Sequence, residues 1–231
     1  MKRLSPQLVI FDVDGVLVDV RGSFHKSILD TVRFFTGRRV TYGEIGAWKN
    51  RGGYNDDWRL STDWIASLGG KAGYATVKRQ FMKFYWGEKG CPGNVTRERW
   101  LVPRARLERW SRRAPLALFT GRTRTELSHT LDRLKMRRYF TKIVTMDDVR
   151  RLKPDPEGLL LLLENLTPSD AVYLGDNVDD ALSSQRAGVP FFGVLPGGGT
   201  PKARRTRAGL LRKFGALRVF DKTIELEKYW R

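Results

Sequence analysis

The sequence predicts an α/β fold in which a parallel sheet forms a core and a helical domain is inserted into it. Two patterns predict this fold. Short apolar runs alternate with helical stretches near the start of the chain and again from about residue 114 onward, as in proteins whose helices cover a parallel sheet. From about residue 20 to residue 105 the helical stretches continue without a convincing buried strand. We therefore expect residues 1–19 and 106–231 to form the core, and residues 20–105 to form the inserted domain.

The core strands are predicted from short, continuous apolar runs, because strands covered on both faces show no polar alternation. These runs are Leu8–Asp12, Leu116–Thr120, Lys142–Thr145, Ala171–Leu174, Phe191–Val194 and Arg218–Phe220. Helical patterns lie between them, at Arg124–Lys135, Pro156–Asn165, Asp179–Ala187 and Pro201–Phe214. Gly188 and Pro190 then provide a helix stop after the third of these helices.

The inserted domain is predicted to be helical and to be divided by glycines. Its helices are expected at Ser23–Phe35, Tyr42–Trp48, Asp56–Leu68 and Tyr74–Trp86. A further helix around Arg104–Arg113 is expected to return the chain to the sheet.

The composition is that of a folded chain with a strong positive charge. Apolar residues make up 41% and charged residues 29% of the chain, which excludes a disordered protein. The 43 Lys and Arg outnumber the 25 Asp and Glu, for a formal net charge of +18. Basic residues concentrate at Arg97–Arg113 and Lys202–Lys213. This charge favours anionic partners, so a nucleic-acid-binding or end-processing protein is an alternative, although no helix-turn-helix, zinc-finger or RNA-binding aromatic signature is present.

Cysteine content and hydrophobic runs narrow the class of protein. Cys91 is the only cysteine, which excludes an intrachain disulfide and a cysteine metal cluster. The longest aliphatic run, Leu159–Leu163, is far shorter than the roughly 20 apolar residues of a membrane helix. Asp12 and Asp14 interrupt the apolar run after the basic start Met1-Lys2-Arg3 too early for a signal peptide, so we expect a cytoplasmic chain without a membrane partner.

Two acids follow the first predicted strand, in the segment Phe11-Asp12-Val13-Asp14-Gly15. Residues two apart in an extended chain point to the same side. Asp12 and Asp14 therefore present two carboxylates at the carboxyl edge of the sheet, where open α/β folds bind ligands. An Asp-Gly turn with solvated acids is the alternative.

One strand end and one loop carry groups suited to phosphate. Thr120 and Gly121 place a hydroxyl and accessible backbone amides before a helix start, which suits a phosphate. A threonine cap and a turn glycine are the alternative. Pro154 and Pro156 hold Lys153 in a loop just before a helix, and a solvent-facing lysine is the alternative.

A cluster of acids follows the strand at Ala171–Leu174. Asp176 and Asp180 are four residues apart and would share one helix face if the helix began there. Packing like charges costs free energy unless a cation compensates them, and Mg²⁺ with oxygen ligands is the simplest such cation. The alternative is a helix cap with acids near the positive end of the helix dipole, which explains Asp179.

In combination, these four segments resemble the motifs of the haloacid dehalogenase-like hydrolase superfamily, in order and in spacing. Asp12-x-Asp14-Gly15-Val16 resembles the first motif, Thr120-Gly121 the second, Lys153-Pro154 the third and Gly175-Asp176-x-x-x-Asp180 the fourth. The insertion between the first two motifs is similar to the helical cap of the subfamily that includes phosphoglycolate phosphatase and β-phosphoglucomutase. The resemblance implies a Rossmann-like core with a helical cap domain.

The resemblance also implies which residues carry catalysis and bind the phosphoryl group. Asp12 would be the nucleophile that forms an aspartyl-phosphate. Asp14 would protonate the leaving oxygen and then activate water. Thr120, Gly121 and Lys153 would hold the phosphoryl oxygens, with Thr120 and Lys153 counted among the catalytic residues.

For the metal, the resemblance implies Mg²⁺ on the Asp12 carboxylate, the Asp14 backbone carbonyl and Asp176. Asp180 would support the metal site and Lys153. The carboxylate of Asp14 also distinguishes phosphoryl transfer from dehalogenation, because the haloacid dehalogenases proper lack an acid at this position.

The expected function is a Mg²⁺-dependent phosphatase that acts on a small phosphorylated metabolite. Arg51, in the polar segment Lys49–Trp58, is the residue expected to bind the substrate beyond its phosphate, and an ordinary loop between helices is the alternative. A phosphomutase that returns the phosphoryl group to a sugar is an alternative function. So is a phosphonate hydrolase that uses Lys49 to form an imine. The chain also resembles a subgroup of capped phosphatases, some fused to a histidinol-phosphate aminotransferase, which indicates an amino-acid-related phosphate.

Overall fold

The computed structural model describes residues 5–230, so the basic start Met1-Lys2-Arg3 lies outside the described residues. The chain forms two compact units. We call residues 1–19 and 100–231 the core unit and residues 20–99 the insertion unit. The chain thus returns to the core unit between Arg99 and Trp100, a few residues before the boundary at 105/106 expected from the sequence.

Ten strands are present among the described residues. In chain order they are β1 Leu8–Phe11, β2 Val18–Asp19, β3 Gly87–Glu88, β4 Cys91–Pro92, β5 Arg99–Trp100, β6 Leu116–Phe119, β7 Lys142–Val144, β8 Ala171–Gly175, β9 Phe191–Val194 and β10 Ala216–Phe220. The helices are α1 Lys26–Thr36, α2 Tyr42–Lys49, α3 Asp57–Ser67, α4 Tyr74–Trp86, α5 Arg104–Ser111, α6 Arg124–Arg133, α7 Glu157–Leu163, α8 Val178–Ala187 and α9 Pro201–Lys213.

The core unit contains a six-stranded sheet in the order β10-β9-β8-β1-β6-β7, and all of its neighbouring strands are parallel. This confirms the predicted parallel sheet and all six predicted strands. The first strand of the chain is central, between β8 and β6. Strands β1, β6, β8 and β9 are buried at every position, which explains their unbroken apolar sequences.

Three of the six core strands end one residue earlier than the apolar runs suggested, and β8 ends one residue later, at Gly175. Asp12, Thr120 and Thr145 were expected as the last residues of their strands, and each lies just beyond the strand end. Consequently, the polar side chains lie at the carboxyl edge of the sheet rather than within it. The small pairs β2–β5 and β3–β4 were not predicted, because strands of two residues leave no periodic pattern.

The helices of the core unit form where they were predicted, and all of their ends lie within two residues of the predicted ends. Helix α7 stops at Leu163 instead of Asn165, because Glu164 adopts a left-handed backbone with φ 50°. Helix α8 begins at Val178 after an Asn177 cap. Asp176 therefore precedes the helix, and the expected shared helix face of Asp176 and Asp180 does not form.

The insertion unit is helical, as predicted, and contains α1 to α4. The first predicted helix, Ser23–Phe35, begins with a π-helical turn at Arg21–His25 and continues as α1. Apolar side chains from α1, α3 and α4 form its interior, namely Ile28, Val32, Leu60, Trp64, Ile65, Val77, Phe81 and Tyr85. Within residues 5–230, no helix has the length and apolar character required to cross a membrane.

Candidate active site

Three neighbouring strands deliver the predicted site residues to one edge of the sheet. Asp12 follows β1, Thr120 follows β6 and Asp176 follows β8. Since β8, β1 and β6 are adjacent and parallel, their carboxyl ends lie side by side, where open α/β sheets bind ligands. The structure thus brings together motifs that lie more than a hundred residues apart in the chain.

Lys153 is the cation at the centre of this edge. Its side chain is 1% exposed, and its ammonium nitrogen lies 3.0 Å from Asp12 Oδ1 and 2.8 Å from Asp180 Oδ1. The same nitrogen donates to the carbonyl oxygen of Phe119 at 2.9 Å and to the Tyr173 hydroxyl at 2.7 Å. Burial by itself would lower the pKa of Lys153, but Asp12 and Asp180 reverse this and raise it. Lys153 is therefore a buried lysine whose charged form is stabilised by two carboxylates, rather than a solvent-facing lysine.

Asp180 is fully buried and holds this arrangement in place. Its Oδ1 accepts hydrogen bonds from Lys153 and from the Tyr173 hydroxyl, the latter at 2.6 Å. Its Oδ2 accepts from the backbone N–H groups of Asp176 and Asn177 at 3.0 and 3.2 Å. Both carboxylate oxygens thus bind groups of the protein, and Asp180 ties the turn after β8 to Lys153.

The carboxylates of Asp12, Asp176 and Asp180 form an acidic cluster in which one oxygen of each lies within 4.8 Å of the others. Burial raises the pKa of Asp12 well above its usual range despite the opposing charge of Lys153, and the neighbouring carboxylates add to this effect. An ionised Asp12 therefore requires further positive charge nearby. Carboxylate oxygens are the ligands that hard divalent cations prefer, so this cluster fits a metal ion.

Gly15 allows the turn after β1 to approach this cluster. Its φ of +74° is rarely adopted by other residues, and a Cβ at this position would lie 2.5 Å from Asp176 Oδ2. The carboxylate of Asp14, one residue earlier, is not part of the cluster. Asp14 was expected to bind the metal through its backbone carbonyl oxygen and not through its carboxylate. The carboxylate contacts Arg122.

Arg122 is a buried arginine that the sequence interpretation left without a role. Its Nε donates to Asp14 Oδ1 at 2.8 Å, and its Nη2 lies 2.7 Å from the same oxygen. Its Nη1 donates to the Thr130 hydroxyl at 2.6 Å, and its backbone N–H donates to the Thr120 hydroxyl at 3.2 Å. Thr120 is itself buried. The signal in the sequence was a basic residue directly after Thr120-Gly121.

Tyr173 was also missed, although a tyrosine within an otherwise aliphatic buried strand is a signal, because a buried hydroxyl needs a partner. Burial, followed by the charges of Asp180 and Asp12, raises the pKa of the Tyr173 phenol well above its ordinary value. The phenol therefore keeps its proton and donates a hydrogen bond to Asp180 Oδ1. A third residue, Arg207 of α9, lies 3.4 Å from Asp176 Oδ2, and nothing in the sequence marked it.

In the insertion unit, Arg51 is exposed and its guanidinium lies 4.2 Å from the ring centroid of Trp48. Lys49 forms an ion pair with Asp57 at 2.9 Å. The segment that contains Arg51 ends α2 and continues through Gly52 and two further residues toward α3. Arg51 is thus held by stacking on an aromatic ring with its charge exposed.

Comparisons with known proteins agree with this fold and site. Residues 107–194 match the family model of the haloacid dehalogenase-like hydrolases. An imidazoleglycerol-phosphate dehydratase from Phytophthora nicotianae is 33% identical over 197 residues, 82% of this chain and 43% of that protein. Phosphoglycolate phosphatase 1 from Pseudomonas aeruginosa is 27% identical over 191 residues, 80% of this chain and 67% of that protein. This chain therefore spans less than half of the first relative and two thirds of the second.

A crystal structure of a predicted phosphoglycolate phosphatase from Haemophilus somnus 129pt superimposes with a TM-score of 0.77. The superposition covers 97% of this chain and 98% of that one, at 20% identity, and shows the shared fold. The chain belongs to the haloacid dehalogenase-like hydrolase superfamily. Within it, the helical insertion after the first strand is that of the phosphoglycolate phosphatase-like members.

Proposed function

We propose that this protein is a Mg²⁺-dependent phosphatase that hydrolyses a small phosphate monoester through an aspartyl-phosphate on Asp12. One observation carries the proposal: a buried lysine joins Asp12 to Asp180 at the carboxyl edge of a parallel sheet, within hydrogen-bond distance of both. Asp176 completes a cluster of three carboxylates there. A nucleophilic carboxylate, a fixed cation and oxygen ligands for a metal are the groups that a two-step phosphoryl transfer requires.

Each residue of the site has a role in this proposal. Asp12 attacks phosphorus, and Asp14 gives a proton to the leaving oxygen and later takes one from water. Thr120, Gly121 and Lys153 bind the phosphoryl oxygens and hold them in line with Asp12. These roles need groups of fixed position, and both Thr120 and Lys153 are almost fully buried.

The metal would be held by the carboxylates of Asp12 and Asp176 and by the backbone carbonyl of Asp14. Bound there, Mg²⁺ would supply positive charge that neutralises the phosphoryl oxygens. Asp180 supports the site from behind, because its two oxygens are already occupied by Lys153, Tyr173 and backbone amides. In this proposal Asp180 orients other residues and does not itself react.

We assign the substrate class from the relatives and from the insertion unit. Phosphoglycolate and imidazoleglycerol phosphate are the phosphate esters that the names of two relatives suggest, and both are small and anionic or polar beyond the phosphate. Arg51, with its charge exposed above Trp48, is proposed to bind that second part of the substrate. A phosphatase with this specificity acts on a small metabolite and does not require nucleic acid or a membrane.

The experiment is a screen of the purified protein for phosphate release with Mg²⁺, from phosphoglycolate, imidazoleglycerol phosphate, sugar phosphates and a phosphorylated DNA oligonucleotide. We expect release from at least one small ester and loss of activity by at least ~10³-fold in Asp12→Asn, because only the ionised carboxylate attacks phosphorus. Asp132→Asn, an exposed acid on α6, is the matched control and should keep full activity.

Several results would contradict the proposal. Activity above a tenth of wild type in Asp12→Asn would remove the nucleophile assignment. Turnover that depends on a sugar bisphosphate would identify the protein as a phosphomutase. Release from the oligonucleotide alone, retained at physiological salt, would favour an end-processing enzyme, whereas binding that disappears steeply with salt reflects only the net charge of +18.

A further inference from the structure

The arrangement of Arg122 and Asp14 has a consequence for how the proton is transferred. Asp14 Oδ1 lies within 2.8 Å of both Nε and Nη2 of Arg122. Among the described residues, no contact to Asp14 Oδ2 is found, and 28% of the Asp14 side chain is exposed. One oxygen of the carboxylate is thus held by the protein, and the other is available to a reacting group.

Arg122 is itself held firmly. Its side chain is 1% exposed, and its Nη1 donates to the Thr130 hydroxyl on α6. Its backbone N–H donates to Thr120, and its carbonyl oxygen accepts from the backbone N–H of Met146 at 3.0 Å. These contacts anchor it to the ends of β6 and β7. Arginine keeps its charge at all accessible pH values, so it provides a constant, directional contact.

A buried guanidinium must have an anionic partner, and fold stability alone could be the reason for the pair. The geometry argues for more. Nε of Arg122 donates to Asp14 Oδ1, and Nη2 lies 2.7 Å from the same oxygen without making a hydrogen bond. The contact therefore fixes which carboxylate oxygen faces away from the arginine. A partner needed only for charge would not have to leave the second oxygen accessible.

We infer that Arg122 is a positioning residue that directs Asp14 Oδ2 toward the leaving oxygen of the substrate. This inference rests on the proposed phosphatase function. In the first step, Asp12 forms a bond to phosphorus, the bond from phosphorus to the leaving oxygen breaks, and that oxygen takes the proton from Asp14 Oδ2. In the second step, water gives a proton to Asp14 Oδ2 while its oxygen bonds to phosphorus and the bond to Asp12 breaks. The proton that leaves Asp14 Oδ2 in the first step is thus replaced in the second.

The test uses the dependence of the first step on the leaving group. Phenyl, 4-nitrophenyl and 2,4-dinitrophenyl phosphate form a series in which the departing oxygen needs a proton less and less. If Arg122 acts through Asp14, kcat/KM of Arg122→Met should fall by ~10² for phenyl phosphate, the scale of a lost general acid, and only a few-fold for the dinitrophenyl ester. Arg122→Lys keeps the positive charge but lacks the planar guanidinium. Its kcat/KM for phenyl phosphate should lie between those of Arg122→Met and wild type.

A second readout separates the two steps. Hydrolysis of the aspartyl-phosphate still needs Asp14 as a base, whichever ester formed it. Arg122→Met should therefore release about one equivalent of dinitrophenolate in a rapid burst, followed by slow turnover. A variant that is merely less stable would lose rate on all three esters without a burst.

Three controls isolate the path through Asp14. In an Asp14→Ala background, Arg122→Met should not further increase the dependence of kcat/KM on the leaving group. The interaction between the two side chains is already absent there, as in a double-mutant cycle. Arg133→Met, an exposed position on the same helix α6 as Thr130, should behave as wild type. Thr130→Val removes the anchor of Nη1 together with the hydrogen bond from the Thr130 hydroxyl to the Glu126 carbonyl oxygen. It leaves Arg122 in place, so it tests the inference with a milder loss of about threefold to tenfold on phenyl phosphate if Arg122→Met does not fold.

Equal losses of kcat/KM across the three esters would overturn the inference and make Arg122 a residue of the fold or of phosphoryl binding. The inference would also be overturned if Arg122→Met still increased the dependence of kcat/KM on the leaving group in the Asp14→Ala background. Wild-type protein that hydrolyses none of the esters, nor any compound of the metabolite screen, would overturn the proposed function together with this inference. The first two results leave the proposed function intact, so the failures are distinguishable.

Discussion

A buried carboxyl beside the site makes stability depend on pH. Glu126 on α6 is 1% exposed, and its Oε2 accepts hydrogen bonds from the backbone N–H and the hydroxyl of Thr123. Its Oε1 has no hydrogen-bond partner among the described residues. Burial raises the pKa of Glu126 from 4.5 to about 7, although Thr123 and Arg122 oppose this rise. We therefore expect a neutral carboxyl in the folded protein in mildly acidic solution.

The size of the effect follows from the pKa difference. A rise from 4.5 to about 7 corresponds to about 3 kcal/mol, at about 1.4 kcal/mol per pKa unit. Between these pH values the folded protein binds more protons than the unfolded chain, so the free energy of unfolding falls as pH rises. The contribution is fully present below about pH 4.5 and is lost by about pH 7. Because glutamine cannot ionise, the free energy of unfolding of Glu126→Gln should not show this decrease with pH.

The assay is urea unfolding of wild type and Glu126→Gln at several pH values from 5 to 8, followed by tryptophan fluorescence. The free energy of unfolding of Glu126→Gln should rise relative to wild type by up to about 3 kcal/mol as the pH increases. Glu44→Gln is the matched control, because Glu44 forms the same capping box with Thr41 at an exposed position. A difference between wild type and Glu126→Gln that stays constant over this pH range would refute the reasoning.

Three further predictions concern individual site residues. Asp176→Ala should weaken the apparent affinity for Mg²⁺ at least about tenfold, because a carboxylate ligand is lost, as measured by calorimetry and by Mg²⁺ rescue of activity; an unchanged affinity would reduce Asp176 to a turn residue. Tyr173→Phe should lower kcat about tenfold with little change in KM, because the phenol that joins Lys153 to Asp180 is lost; unchanged kcat would show that the hydroxyl only completes hydrogen bonding. Arg51→Ala should raise KM for the true substrate much more than for 4-nitrophenyl phosphate, and equal changes would exclude a contact beyond the phosphate.

The sheet and its order of motifs could be predicted because each signal is local. An apolar run of four or five residues followed by an acid or a hydroxyl marks both a buried strand and its carboxyl end, as at Asp12 and Thr120. Glycine stops are equally local, and Gly188 ends α8 in the left-handed conformation expected of it. Strand ends were less accurate, since the last ladder hydrogen bond depends on the neighbouring strand and not on composition.

The contacts that complete the site could not be predicted in the same way, because they join residues distant in the chain. Arg122 reaches Asp14 across 108 positions, and Lys153 reaches Asp12 across 141. A basic residue after a glycine turn looks the same in the sequence whether it is solvated or buried. Asp176 and Asp180 were paired in the sequence because residues four apart share a helix face, but α8 begins only after Asp176. The two residues nevertheless lie together, because the backbone N–H of Asp176 donates to Asp180 Oδ2.

The charges at the site support the proposed metal ion, although the chain as a whole is strongly basic. Three carboxylates cluster there, those of Asp12, Asp176 and Asp180, and the side chains of two basic residues contact them: Lys153 and Arg207. With all three carboxylates ionised, the net charge of this group is one negative, which would repel a phosphate dianion. The proposed divalent cation would reverse the sign and make phosphate binding favourable. The net charge of +18 does not substitute for it, because exposed charges are screened over about 10 Å at moderate salt, whereas Asp12 and Lys153 interact out of contact with solvent.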